Sequence, residues 1–290
     1  MPRILKPLYS VSKIVALMGL ILGLASGCTT AATLDTVTAA PVAPVSEKSA
    51  SIVVDGSTGV VLYEASADLP RIPASLTKMM TLYLTFEALQ SGRITKSTPI
   101  PVSAHAASQA PSKLGLKPGA TIDVDTAIKA IVVKSANDVA VALAEYIGGS
   151  EDQFAVLMTD KARRLGMKGT NFHNASGLPD PQQITTARDM ALLGLALRKH
   201  YPQQYYYFGT QDFVFNGKQI HGHNRVLSQL NGADGIKTGY VKASGFNIVT
   251  SVSDNGRQLV AVVMGGNTAK MRDAQVVSLV NTYLPQVASR

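Results

Sequence analysis

Ser75 and Lys78 stand three residues apart, directly after Pro73-Ala74 and at the head of a long apolar run. Residues at that spacing share a helix face, so a hydroxyl and an amine can meet there. Such a pair suits nucleophilic catalysis. A neutral lysine takes the hydroxyl proton, and backbone N–H groups at a helix N-terminus stabilise developing negative charge. The motif is short, and Ser10 to Lys13 repeats it. Taken alone, Ser75 is equally readable as a helix N-cap.

Two further polar groupings follow. Ser135-Ala136-Asn137 falls on a short connection between two helical runs, where a loop can aim both polar side chains into a cleft. Asn137 or Asp138 could instead cap the next helix. Lys237-Thr238-Gly239 lies about a hundred residues further on, after Asn231-Gly232-Ala233-Asp234-Gly235 and before a terminal hairpin. That is the setting of an edge strand beside a cleft, or of a polar turn. His221 and His223 form an H-x-H pair near a strand end, but no further ligands at zinc spacing accompany them. Neither a metal nor a cofactor is expected.

The elements that must position these residues read as α+β. Residues 51–54 and 60–63 are β-branched runs joined by Asp55-Gly56-Ser57-Thr58-Gly59, a hairpin pattern. Residues 76–89 are apolar on nearly every face and close at Gly92, which marks a buried helix. Helical patterns cover 124–134, 139–147, 152–165 and 186–197. Strand patterns return at 213–215 and 218–220 around Asn216-Gly217, then at 245–253 and 258–264 around Asp254-Asn255-Gly256. A last helix is expected over 269–284. An antiparallel sheet flanked by helices, with a helical lobe inserted in the middle, accounts for this order.

The N-terminus reads as a leader. Arg3, Lys6 and Lys13 precede the apolar run 14–25, which is short for a membrane span and suited to a signal peptide. The stretch ending at Cys28, the sole cysteine, resembles a bacterial lipobox, with Ala25 where a leucine is usual. Acylation of Cys28, or ordinary cleavage near Ala31 and Ala32, are the two outcomes expected. Residues 1–28 are thus the signal segment, 29–49 a flexible linker rich in Thr, Ala, Pro, Val and Ser, and 50–290 the catalytic domain. Loss of the signal segment removes three positive charges and no acid, taking the formal charge from +8 to +5. Anionic wall or lipid is a suitable neighbour for such a surface. Nucleic acid is not expected, since no concentrated Lys/Arg run is present and the protein is expected to be exported, either periplasmic or membrane-anchored facing the cell wall.

In order and spacing, S-x-x-K, S-x-N and K-T-G resemble the active-site set of penicillin-binding proteins and serine β-lactamases. The flanks Pro73 to Met80, Gly115 to Gly119, Ala187 to Leu192 and Asp234 to Gly239 resemble the low-molecular-mass D-alanyl-D-alanine carboxypeptidases in particular. The resemblance implies a β-lactamase/transpeptidase-like fold and removal of the terminal D-alanine from peptidoglycan stem peptides, with β-lactam antibiotics as covalent inhibitors. It implies Ser75 as nucleophile, Lys78 as base, and Ser135 as relay to the leaving amine. Asn137 would hold the substrate peptide. Lys237 would lower the Lys78 pKa, helped by partial burial, and Thr238 and Arg272 would bind the free carboxylate. The N–H groups of Ser75 and Tyr240, the residue after Gly239, would form the oxyanion hole.

Other activities share the motifs. A D-alanyl endopeptidase would carry the same residues, and a non-catalytic penicillin-binding sensor or wall-binding domain is a third possibility. A class A β-lactamase needs a later glutamate, whereas the last one here is Glu151 and no E-x-x-L-N follows. Family members often carry a C-terminal β-domain and a membrane-binding helix. Here the sequence runs only about fifty residues past K-T-G, so any attachment is expected through the N-terminus. Ala136 replaces the glycine often found in the middle motif, a change expected to touch fine specificity.

Overall fold

The computed structural model describes residues 47–289. The signal segment, Cys28 and residues 29–46 of the expected linker lie outside the described residues. Five strands form one antiparallel sheet: β1 (Ala50–Asp55), β2 (Val61–Ala65), β7 (Ala233–Val241), β8 (Gly245–Asp254) and β9 (Arg257–Gly266), in the order β2-β1-β9-β8-β7. The hairpins expected from the Asp-Gly and Asp-Asn-Gly turns are present, β7 is an edge strand, and the expected Asn216-Gly217 hairpin forms a separate pair, β5 (Asp212–Phe215) and β6 (Lys218–His221).

Both faces of this sheet are covered, and the period-two alternation of the strands shows why. Along β9, Val260, Val262 and Met264 face one core, while Leu259, Ala261 and Val263 face another. The second core is closed by α7 (Ala269–Tyr283) through Val276 and Val280. The first is closed by α6 (Ala187–His200), where Gly194 lets the helix approach. A Cβ at Gly194 would lie 3.2 Å from both Ile236 and Val260.

The helical lobe is inserted between β2 and β7. Its centre is α1 (Lys78–Gln90), buried from Lys78 through Phe86 as its all-round apolar pattern requires. Around it stand α4 (Asn137–Gly148) and α5 (Glu151–Arg164). Two short pieces escaped the sequence pattern: a strand pair, β3 (Pro99–Pro101) and β4 (Thr121–Asp123), and a five-residue helix, α2 (Ala104–Ser108). The run expected as one helix over 124–134 is α-helical only over α3 (Val124–Lys129). It continues as a single π turn, Ala130–Lys134, and stops at Ser135, whose φ is +60°. Similarly, a 3₁₀ turn, Ala74–Thr77, precedes α1. These two departures are what set the positions of Ser75 and Ser135.

Phe86 joins α1 to the segment that follows α6, packing edge-to-face on Tyr201 and Phe208 with centroids 5.8 Å away in each case. Replacing it with alanine is expected to lower unfolding stability by about 3–5 kcal/mol, the usual cost of deleting a buried phenylalanine. Urea unfolding followed by circular dichroism checks this. A loss under 1 kcal/mol would mean the two regions do not depend on that contact.

Candidate active site

The 3₁₀ turn and the first residue of α1 place Lys78 Nζ 3.2 Å from Ser75 Oγ. The amine is fully buried. It also donates to Asn137 Oδ1 at 2.7 Å and to the Ser176 carbonyl. Both of these groups are acceptors only. A neutral amine has two N–H bonds and one lone pair, so two donations leave the lone pair for the Ser75 hydroxyl. An ammonium would have to aim its third N–H at that hydroxyl and keep an unpaired charge out of water. Burial first, then the Lys237 charge, holds the Lys78 pKa well below the ordinary lysine range. Asp138 and Glu151 oppose that shift without reversing it.

The second motif is fixed by backbone. Asn137 donates its N–H to the Ser112 carbonyl at 2.8 Å, and its Nδ2 donates to the Pro111 carbonyl at 2.5 Å. Both amide atoms are thereby engaged inside the protein, one of them with Lys78. The neighbouring Asp138 caps no helix. Its carboxylate accepts from the N–H groups of Leu114 and Gly115, at 2.9 and 2.8 Å, and pins the 111–116 loop beside the serine motifs. Ser135, held in the left-handed region, has a buried Oγ with no partner among the described residues. Its hydroxyl is available to something not of the protein.

Lys237 and Thr238 lie on β7, where Ile236 anchors the strand in the core and Asp234 accepts from Arg198 and from Ser251 Oγ at 2.5 and 2.6 Å. Gly239 passes so close to Ser75 that a Cβ would stand 3.0 Å from Ser75 N. Tyr240 is exposed and stacks on Phe246 at 4.2 Å between centroids. Arg272, on α7, is buried. It donates to Asp273 Oδ1 at 2.6 and 2.9 Å and to the Asn247 carbonyl at 3.0 Å. A cleft of about 450 Å³ brings Ser75, Ser135, Thr238, Tyr240 and Arg272 to one wall system, with Lys78 buried beneath. His223 also lines it, just past the strand that ends at His221. Among the described residues no group of three or more His, Cys, Asp or Glu could hold a metal ion.

Sequence reasoning missed the segment 174–177. Ser176 supplies a main-chain acceptor, and Gly177, at φ +84°, passes within 1.9 Å of the Ala74 oxygen if a Cβ is added. Only a glycine fits that approach. Glu151 supports the segment by accepting from Ala175 N–H at 3.0 Å, which accounts for the last glutamate in the chain.

A family profile described as D-alanyl-D-alanine carboxypeptidase matches residues 36–268. The chain is 36% identical over 242 residues to D-alanyl-D-alanine carboxypeptidase DacA of Escherichia coli K12, spanning 81% of this chain and 60% of that protein's length. It is also similar to the crystal structure of the D-alanyl-D-alanine carboxypeptidase DacD from Francisella tularensis, with a TM-score of 0.80 and 31% identity over 81% of this chain and 70% of that one. A third similarity is to penicillin-binding protein D2 of Listeria monocytogenes in an ampicillin-bound form, with a TM-score of 0.70 and 27% identity over 80% of this chain and 95% of that one.

The Lys237 amine is buried, donates only to its neighbour's carbonyl among the described residues, and is pushed down to about 7 by burial and by Arg272. The unfolded chain holds that proton up to about pH 10.4. Native stability is therefore depressed most below pH 7 and recovers as pH rises toward 10. Lys237→Met is expected to raise Tm by a few degrees at pH 6 and by less at pH 9, measured by thermal unfolding. An equal shift at both values would contradict a lysine charge suppressed by its site.

Proposed function

Because the chain belongs to the family of the D-alanyl-D-alanine carboxypeptidases, we propose that it removes the terminal D-alanine of peptidoglycan stem pentapeptides through an acyl-enzyme on Ser75. The observation that carries this reading is the buried Lys78 amine, 3.2 Å from Ser75 Oγ and donating to two further acceptors, an arrangement in which a neutral amine keeps its lone pair for the Ser75 hydroxyl. In the first step the Ser75 proton passes to Lys78 Nζ while Oγ bonds to the carbonyl carbon of the penultimate D-alanine. The N–H groups of Ser75 and Tyr240 hold the oxyanion. Ser135, whose hydroxyl has no partner among the described residues, takes the proton from Lys78 and gives its own to the departing D-alanine amine as the C–N bond breaks, which returns Lys78 to its neutral form. Water then attacks the ester as Lys78 takes its proton, and that proton passes to Ser75 Oγ as the ester bond breaks and the shortened peptide leaves.

Selection of a chain end follows from charge. Thr238 and Arg272 take the free carboxylate, and an internal peptide bond offers none. Asn137 serves Lys78 in this scheme, and any contact it makes with the substrate peptide comes from the remaining N–H of its amide. β-Lactams, which carry a carboxylate beside a strained amide, acylate the same serine. In this reading residues 1–28 direct export, and Cys28, when acylated, keeps the domain facing the wall from the membrane. Among the described residues no helix is long and apolar enough to cross a membrane.

Mass spectrometry of products from a stem pentapeptide and from a cross-linked muropeptide dimer checks the proposal. The pentapeptide is expected to lose one D-alanine, and Ser75→Ala to abolish that loss together with covalent penicillin labelling. Cleavage of the dimer alone would move the function to endopeptidase. Penicillin labelling without any product would indicate a sensor or binding role.

A further inference from the structure

The segment that presents Ser75 is held from outside. Its 3₁₀ turn has no side-chain cap, and Ala74, just ahead of the serine, has a φ of +49°. A non-glycine residue in that region is strained by about 1–3 kcal/mol and stays there only where its surroundings fix it. Gly177 closes one side. The other side is closed by Asn247, a fully buried residue of β8.

Each polar group of Asn247 meets a different part of the site. Nδ2 donates to the carbonyls of Ile72 and Pro73, at 3.1 and 3.3 Å, the two residues ahead of Ala74. Oδ1 accepts from the Gly265 N–H at 2.9 Å, where the register between β8 and β9 slips. The backbone carbonyl accepts from Arg272 at 3.0 Å. Across the ladder Asn247 pairs with Gly239, the residue whose backbone lies against Ser75 N. One side chain therefore ties the nucleophile segment to β8 and β9, and the same residue's backbone pairs with the K-T-G strand and seats the arginine. Only an amide of this length donates to two carbonyls while accepting from an N–H.

From this we infer that Asn247 is a positioning residue for acylation: it sets the distance between Ser75 and the strand and arginine that hold the substrate. The inference rests on the acyl-enzyme reading above. Bare satisfaction of buried polar groups would make Asn247 matter for stability alone. Positioning makes it matter for the rate in molecules that are folded, because a misplacement near 1 Å lowers reactivity by about 100-fold. Binding is expected to survive, since the Arg272 bond is to the Asn247 backbone and is unaffected by its side chain.

Asn247→Asp separates these effects. It keeps the volume and the acceptor for Gly265 but turns an oxygen toward two carbonyls. The test is stopped-flow acylation of the full chain by a fluorescent penicillin, normalised to folded, titratable sites, beside melting temperatures. The acylation rate constant is expected to fall about 10- to 100-fold while the non-covalent binding constant stays within about threefold. Val252→Ala, on the same strand but in the α7-side core, is expected to lower Tm and acylate at the wild-type rate. If Asn247→Asp does not fold, Asn247→Ser is measured in the same way, with the same split expected. Wild-type acylation rates in the folded variant, or a loss confined to binding, would overturn the inference. A wild-type chain that penicillin does not acylate at all would overturn the acyl-enzyme reading and this inference with it.

Discussion

Everything in the cleft depends on taking the Lys78 amine out of water without giving it a carboxylate. A buried ammonium in that position would lack a counter-charge, and the site resolves this by favouring the uncharged form. The fold meets the remaining hydrogen-bonding needs from three separate places. The turn before α1 brings the Ser75 hydroxyl, the first residue of α4 brings the Asn137 amide, and segment 174–177 brings a main-chain carbonyl. An amine buried this way works against stability, since the unfolded chain keeps a proton that the native site rejects. Lys237 acts in the same direction a few residues away in space.

Such an arrangement explains the division of the molecule. The sheet is rigid, buried on both faces, and ends in an edge strand whose unpaired backbone lines the cleft. Ser75, Lys78, Ser135 and Asn137 lie on short turns and helix starts of the lobe, which backbone bonds such as those of Asp138 and Asn137 tie back. Strain is stored at Ala74 and Ser135, both in the left-handed region and both next to or within a motif. Regular helix would place neither serine where it stands.

Much of this was legible in the residues. Asp-Gly and Asn-Gly turns marked the hairpins, the all-round apolar run marked α1 as buried, and the three motifs marked the cleft. Lys78 burial is complete where only partial burial was expected, because both Asn137 and Ser176 close over the amine. The π turn before Ser135 was not legible, since hydrophobic spacing over five residues does not separate an i+4 from an i+5 ladder. Ser176 was invisible because it acts through a carbonyl that every residue possesses. Asn247 was missed for a related reason: a lone asparagine in a strand pattern looks like an outward polar position, whereas both faces of this sheet are covered and Asn247 shares the face of Val249, which lies in the first core.

The account stands most directly on the charge of Lys78. Nuclear magnetic resonance of ε-carbon-labelled lysine in the full chain, with the Lys78 signal assigned by its loss in Lys78→Met, reads that charge as a function of pH. The account predicts a signal that is already neutral at pH values where the exposed lysines remain fully protonated. A Lys78 signal that titrates together with the exposed lysines would contradict it.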